Sequence, residues 1–150
     1  MNRADGTPVN AVLGFVNMFV KLLSDMNVKN MAVIFDAARE NFRYDIFPEY
    51  KANRGETPED LIPQFPIIRE ATEAFDLPCL ELEGFEADDL IATYSKRAVE
   101  AGWKVVIVSS DKDLMQLVND DVVMFDPMKN KTMDIAAAVI FLPRALRFCL

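Results

Sequence analysis

Residues 103–118 read WKVVIVSSDKDLMQLV, and this stretch decides the fold. Its unbroken run of β-branched residues suits a strand covered on both faces, as in a parallel sheet flanked by helices. The run ends in carboxylates, Asp111-Lys112-Asp113. Two similar endings lie upstream: MAVIF (31–35) runs into Asp36, and LEL (80–82) runs into Glu86-Ala87-Asp88-Asp89. In a parallel α/β sheet, side chains just beyond the carboxyl ends of strands converge on one crevice. Six carboxylates there would repel one another unless positive charge sat between them, and a divalent cation is the simplest source. The pattern points to metal-assisted phosphate chemistry.

Around these strands the periodicity alternates. Thr7-Pro8 has the form of an N-cap followed by proline at the first helical position. Val9, Val12, Leu13, Val16, Phe19, Val20 and Leu23 then recur at helical spacing to about Met26. Residues 37–56 lose periodicity and read as a long functional loop or irregular arch. Thr57-Pro58-Glu59-Asp60 opens a second helix to about Phe75, with Pro63 and Pro66 predicting an early kink. A strand at 79–82, a helix at 86–101 stopped by Gly102, the strand at 103–109, a short helix at 113–118 and a strand at 122–125 complete the pattern. This implies an α/β fold with a parallel sheet and right-handed crossovers.

Composition narrows the chemistry. The chain has 150 residues, no histidine, two cysteines and a net charge of −8. Without histidine, Ser-His-Asp and Cys-His catalysis and most zinc sites are excluded. Any metal must be held by oxygen, which selects hard cations such as Mg²⁺ or Mn²⁺. The longest uncharged stretch, residues 6–20, is too short to span a bilayer, so no membrane partner is expected. Cys79 and Cys149 form no metal or disulfide framework, which makes a reducing cytoplasm the default. The acidic balance does not exclude a polyanionic partner, since a local basic strip can coexist with it.

Each acid also has a bland explanation. Asp36 could cap a turn. Glu86, Asp88 and Asp89 could complement a helix dipole, and Asp111 could be an N-cap with Asp113 in the first turn. A cap needs one acid, however, whereas these ends carry one, three and two. Two metals roughly 3.5–4 Å apart, held by such acids, suit phosphodiester hydrolysis. In residues 39–54, Arg39, Arg43, Lys51 and Arg54 alternate with Phe42, Tyr44, Phe47 and Tyr50. That mixture can pair phosphates and stack bases, although Glu40, Asp45 and Glu49 leave an ordinary solvated loop open.

VIFDA (33–37), NFR (41–43), EYKANRGETPEDL (49–61), GFEADDLIAT (84–93) and VIVSSDKDLMQLV (106–118) stand in unbroken order. Together they resemble the 5′-nuclease (5′-3′ exonuclease) domain of bacterial DNA polymerase I, a relative of the flap endonucleases in the PIN-like group. The resemblance covers about residues 4–134. It implies a PIN-like fold with a helical arch and Mg²⁺-dependent (or Mn²⁺-dependent) removal of 5′ flaps and RNA primers, with two ions in the complete site. By motif, Asp36, Glu86, Asp88, Asp89, Asp111 and Asp113 match metal-site positions, Asp88 and Asp111 being central to catalysis. Lys51 and Arg54 match basic positions of the arch, with Lys51 close to the scissile phosphate and Arg43 and Tyr50 near the DNA. The implied partners are DNA with a 5′ single-stranded flap or end, an RNA primer–DNA hybrid, and a polymerase domain of the same chain. The implied setting is the bacterial cytoplasm, at the nucleoid.

Two departures from the resemblance set further expectations. The family's first strand, with an Asp ligand, would lie ahead of Met1, and the helix-three-turn-helix would follow residue 134. Residues 1–134 are therefore expected to be a partial arch-containing domain. Residues 135–150, which hold no acid, are expected to be an atypical tail, a C-terminal helix or a change of frame. Weak or absent cleavage by the isolated chain is the corresponding expectation. The competing functions are an inactive remnant that only binds nucleic acid or metal, and a PIN-type ribonuclease.

Overall fold

A computed structural model describes residues 1–26, 30–37, 41–52, 55–133 and 139–141. Among the described residues six strands form one sheet: β1 (Val33–Ile34), β2 (Cys79–Leu80), β3 (Val105–Val108), β4 (Val122–Asp126), β5 (Lys131–Met133) and β6 (Val139–Phe141). Their order is β2-β1-β6-β3-β4-β5. Every pairing is parallel except β4 with β5, as the strand–helix alternation predicts. Residues 139–141, placed by sequence in the tail beyond 134, lie as a strand between β1 and β3.

The apolar strands are continuous because both faces are covered. On one face, Val33, Phe35, Val106, Val108 and Val123 pack with Phe15, Phe19 and Leu22 of α1 (Asn10–Asp25) and Ile68 of α2, defined here as Gln64–Ala74. On the other, Ile34, Val105, Ile107, Val122 and Met124 pack with Leu90 and Ile91 of α3 (Ala87–Glu100). Successive residues of β3 thus serve opposite cores, which is the period-two geometry of a strand. A short helix, Phe42–Ile46, lies in the predicted arch, and a 3₁₀ helix, Lys112–Leu117, follows β3. Among the described residues no helix is long and apolar enough to cross a membrane.

Two helix starts differ from their sequence signals. Thr7-Pro8 does not cap α1, whose first residue is Asn10. Thr7 instead closes a turn, donating its N–H to Asp5 Oδ1 at 2.9 Å while its carbonyl accepts from Arg3 N at 2.8 Å. The buried side chain of Gln64 takes over the capping, its Oε1 accepting from Ala11 N at 2.8 Å and Val12 N at 3.3 Å. Helix α2 starts at Gln64 rather than near Thr57, after a turn over 59–63. Pro63 stands at its N-cap position and Pro66 in its first turn, where no intrahelical donor is required, so the prolines set the start instead of kinking the helix. Helix α3 ends as predicted: Gly102 adopts φ +81° while its N–H reaches Val99 O and that of Trp103 reaches Ala98 O.

Candidate active site

The carboxyl ends of β1 and β3 and the chain leaving β2 all open on one edge, because the strands are parallel. Asp36 follows β1 and is exposed. Its Oδ1 accepts from Ala87 N at 2.8 Å, so it caps the first turn of α3 from 51 residues away. Arg69, paired with Glu81 at 2.8 Å, donates to the Asp36 carbonyl at 3.1 Å. Glu86 is the N-cap residue of α3, and Asp88 and Asp89 fill its first turn. Asp89 Oδ2 accepts from Glu86 N at 3.0 Å. Asp111 caps the 3₁₀ helix, accepting from Asp113 N at 3.0 Å. The bland explanation of each acid is thus partly correct: several of them do cap helices.

What caps do not require is the set of cations that meets these acids. Arg43 grips Asp89 with two hydrogen bonds of 2.6 and 2.7 Å and lies 4.0 Å from Glu86. Lys51 pairs with Glu86, which also accepts from Tyr50 OH at 3.2 Å and Asn41 Nδ2 at 3.1 Å. Arg43 also lies over the Phe42 ring at 4.5 Å, and Lys51 over Tyr50 at 4.7 Å. Lys51 adopts φ +58°, a left-handed backbone that costs a non-glycine residue on the order of 1 kcal/mol or more. Strain of that kind persists where surrounding contacts over-determine it, and the Glu86 pairing is such a contact.

Electrostatics follow the contacts. Burial pushes the Glu86 carboxyl up, but the hydrogen bond and charge of Lys51, then Arg43 and Tyr50, outweigh it and leave the pKa lowered. The Arg43 hydrogen bond holds Asp89 below its ordinary range against a smaller burial effect. Arg43 is raised in turn by Asp89. All three are charged at neutral pH.

A cleft of about 460 Å³ lies beside this network, lined by Glu86, Asp88 and Asp89 from the start of α3, by Lys112, Asp113 and Gln116 from the 3₁₀ helix, and by Arg43 and Tyr50. Of the six predicted acids, four line it. Asp36 and Asp111 do not, although Asp36 is joined to it through Ala87 and Asp111 through Asp113. Among the described residues no three acids stand together at metal-holding distance. In donor chemistry the cleft fits a hard divalent cation, since its four carboxylates offer only oxygen. Its charge is partly balanced already by Arg43 and Lys51. Arg54 and Arg39 lie outside the described residues. Sequence reasoning missed Asn41, Lys112 and Gln116. Asn41 could have been found as an N-cap residue, since its Oδ1 accepts from Arg43 N at 2.9 Å.

The family profile described as 5′-3′ exonuclease, N-terminal resolvase-like domain, matches residues 1–141. The chain belongs to that family. It is 55% identical over 140 residues to the DNA polymerase I of Rhizobium leguminosarum, covering 89% of this chain and 14% of that relative. It is 37% identical over 131 residues to a 5′-3′ exonuclease of Aquifex aeolicus, covering 87% and 45%. The chain therefore spans about a seventh of the polymerase and under half of the exonuclease. Among solved structures, a bacteriophage T5 protein co-crystallised with metal ions superposes with a TM-score of 0.67 at 25% identity, covering 83% of this chain and 50% of that one. The bacteriophage T5 flap endonuclease in a pseudo-enzyme–product complex with DNA and metal ions gives a TM-score of 0.64 at 25% identity, covering 81% and 48%. This exonuclease family thus has the parallel α/β fold predicted here, and structural neighbours were solved with divalent metal.

Proposed function

We propose that this chain carries the acid cleft of a metal-dependent 5′-3′ exonuclease and flap endonuclease. Its substrates would be DNA with a 5′ single-stranded flap or end and RNA primer–DNA hybrids, and its setting the bacterial cytoplasm at the nucleoid, next to a polymerase module in longer relatives. The observation that carries the proposal is the meeting of Arg43 and Lys51, from the segment after β1, with Glu86 and Asp89 at the edge where parallel strands end. Acids and basic side chains from distant sequence meet at one edge.

Glu86, Asp88, Asp89 and Asp113 would hold Mg²⁺ or Mn²⁺, two ions in the complete site, with Asp36 and Asp111 as further ligands. Bound there, such ions supply Lewis-acid charge at the phosphate and lower the pKa of coordinated water. The chain's own residues do the rest. Once the carboxylates are neutralised otherwise, Lys51 and Arg43 are available to non-bridging phosphate oxygens, Arg43 in bidentate fashion. By its motif Arg54 would add a further basic contact to the DNA, and Tyr50 and Phe42 offer ring faces to unstacked bases.

A second reading is supported by those same ion pairs. With Arg43 and Lys51 engaged on acids, the cleft could bind nucleic acid or metal without cutting. A 5′-labelled flap substrate separates the two readings. Cleavage in Mg²⁺ or Mn²⁺ that EDTA stops supports the nuclease, whereas salt-sensitive binding with no product in either ion supports the binder. Faster cleavage of RNA than of flapped DNA would instead favour a PIN-type ribonuclease.

A further inference from the structure

Among the described residues, Arg43 and Lys112 line the cleft and Lys51 pairs with one of its acids, and these three cations differ in one respect. Arg43 is fixed on Asp89 at 2.6 and 2.7 Å, and Lys51 is fixed on Glu86. Lys112 lines the cleft, is exposed and makes no ion pair among the described residues. We propose that Lys112 is a phosphate-binding residue of the cleft, making the contact that DNA forms before Arg43 and Lys51 leave their carboxylates. The proposal rests on the nuclease reading and adds to it a residue that the acid and arch motifs do not assign.

The backbone beneath Lys112 is well anchored. Asp111 caps the turn through Asp113 N at 3.0 Å, and Asp111 N donates to Oγ of the buried Ser109 at 3.0 Å. Leu114, 2% exposed, fixes the next position in the core with Ile107 and Met124. Lys112 is exposed at the first position of the 3₁₀ helix, and its flexible stem can carry the ammonium past the carboxylate of Asp113, which lines the same cleft, to a phosphate. An ammonium already held by a carboxylate has part of its charge and one of its three donors committed there, whereas Lys112 has no such pair among the described residues. Its effect belongs to ground-state binding rather than to turnover.

The test is fluorescence anisotropy of 5′-fluorescein flap DNA against the whole chain in EDTA, across a salt series, with cleavage followed separately in Mn²⁺. The variants are Lys112→Met, Lys112→Arg and, as a control, Lys104→Met, which removes a lysine paired with Asp121 away from the cleft. Lys112→Met should weaken binding about 3–10-fold at 0.1 M salt and reduce the salt slope by about 1, since one phosphate contact contributes roughly 0.7–0.9 to it. KM should rise with kcat within about twofold. Lys112→Arg should restore binding, and Lys104→Met should leave it unchanged. A Lys112→Met chain with the parent's affinity and slope, in a parent that binds and cuts, would overturn this inference and leave the nuclease reading intact. A folded parent with no salt-dependent DNA binding would overturn both.

Discussion

Replacing Arg43 by methionine removes the grip on Asp89 while keeping most of the side-chain volume. Two charge-assisted hydrogen bonds of 2.6 and 2.7 Å are lost, each worth roughly 1.5–3 kcal/mol when well shielded. The pair is about a quarter exposed on both sides, and fully exposed pairs contribute only about 0.2–1 kcal/mol. An intermediate loss of about 2 kcal/mol is expected, because the uncovered Asp89 can recover part of its hydration. For a chain of this size that lowers Tm by roughly 4–8 °C in EDTA. The cleft then holds its acids with one counter-charge fewer, so divalent cation should bind more tightly and stabilise the variant more than the parent. Scanning calorimetry in EDTA and in a Mg²⁺ series measures both effects. A variant as stable as the parent without metal, or one that gains less from Mg²⁺, refutes the counter-charge role of Arg43.

Other consequences follow from the same contacts. Asp89 and Glu86 have lowered pKa values in the fold, as does Asp126, where burial opposes the effect of Lys129 and the N–H groups of Lys129 and Met128. A depressed carboxylate stabilises the fold above its unfolded value, about 4, and this stability is lost as pH falls through the lower folded value. Urea titrations should therefore show stability declining below about pH 4, with little change between pH 6 and 8, where no histidine titrates. Gln64→Leu leaves Ala11 N, Val12 N and Asp60 O without the buried amide that serves them, and should cost about 3 kcal/mol in urea unfolding. A loss under 1 kcal/mol would contradict its capping of α1. Ser95→Ala removes a buried hydroxyl that has no hydrogen-bond partner among the described residues, and should be neutral or stabilising by up to about 1 kcal/mol. Asp111→Ala should lose cleavage and also about 1 kcal/mol of stability through its cap, whereas Asp111→Asn should keep the cap and lose only cleavage.

Legibility tracked how local each signal was. The β3 run, the helix stop at Gly102 and the acids opening α3 could be read directly, because each depends on a few neighbouring residues. The starts of α1 and α2 could not. Gln64 caps a helix 53 residues away, and a buried glutamine leaves no periodic mark. The acids were legible as a group, but their pairing was not, since Arg43 meets Asp89 across 46 residues and Lys51 meets Glu86 across 35. The insertion of residues 139–141 between β1 and β3 was also hidden, because a three-residue apolar run carries no register of its own.

The most direct test of the acid cleft as a cutting centre is the release of label from 5′-labelled flap DNA by the parent chain and by Asp88→Ala. Product should form in Mg²⁺ or Mn²⁺, however slowly, cease with EDTA, and fall to background in an Asp88→Ala chain that unfolds at the same temperature as the parent. Product that survives EDTA or the loss of Asp88, or a folded parent that yields none in either ion, contradicts it.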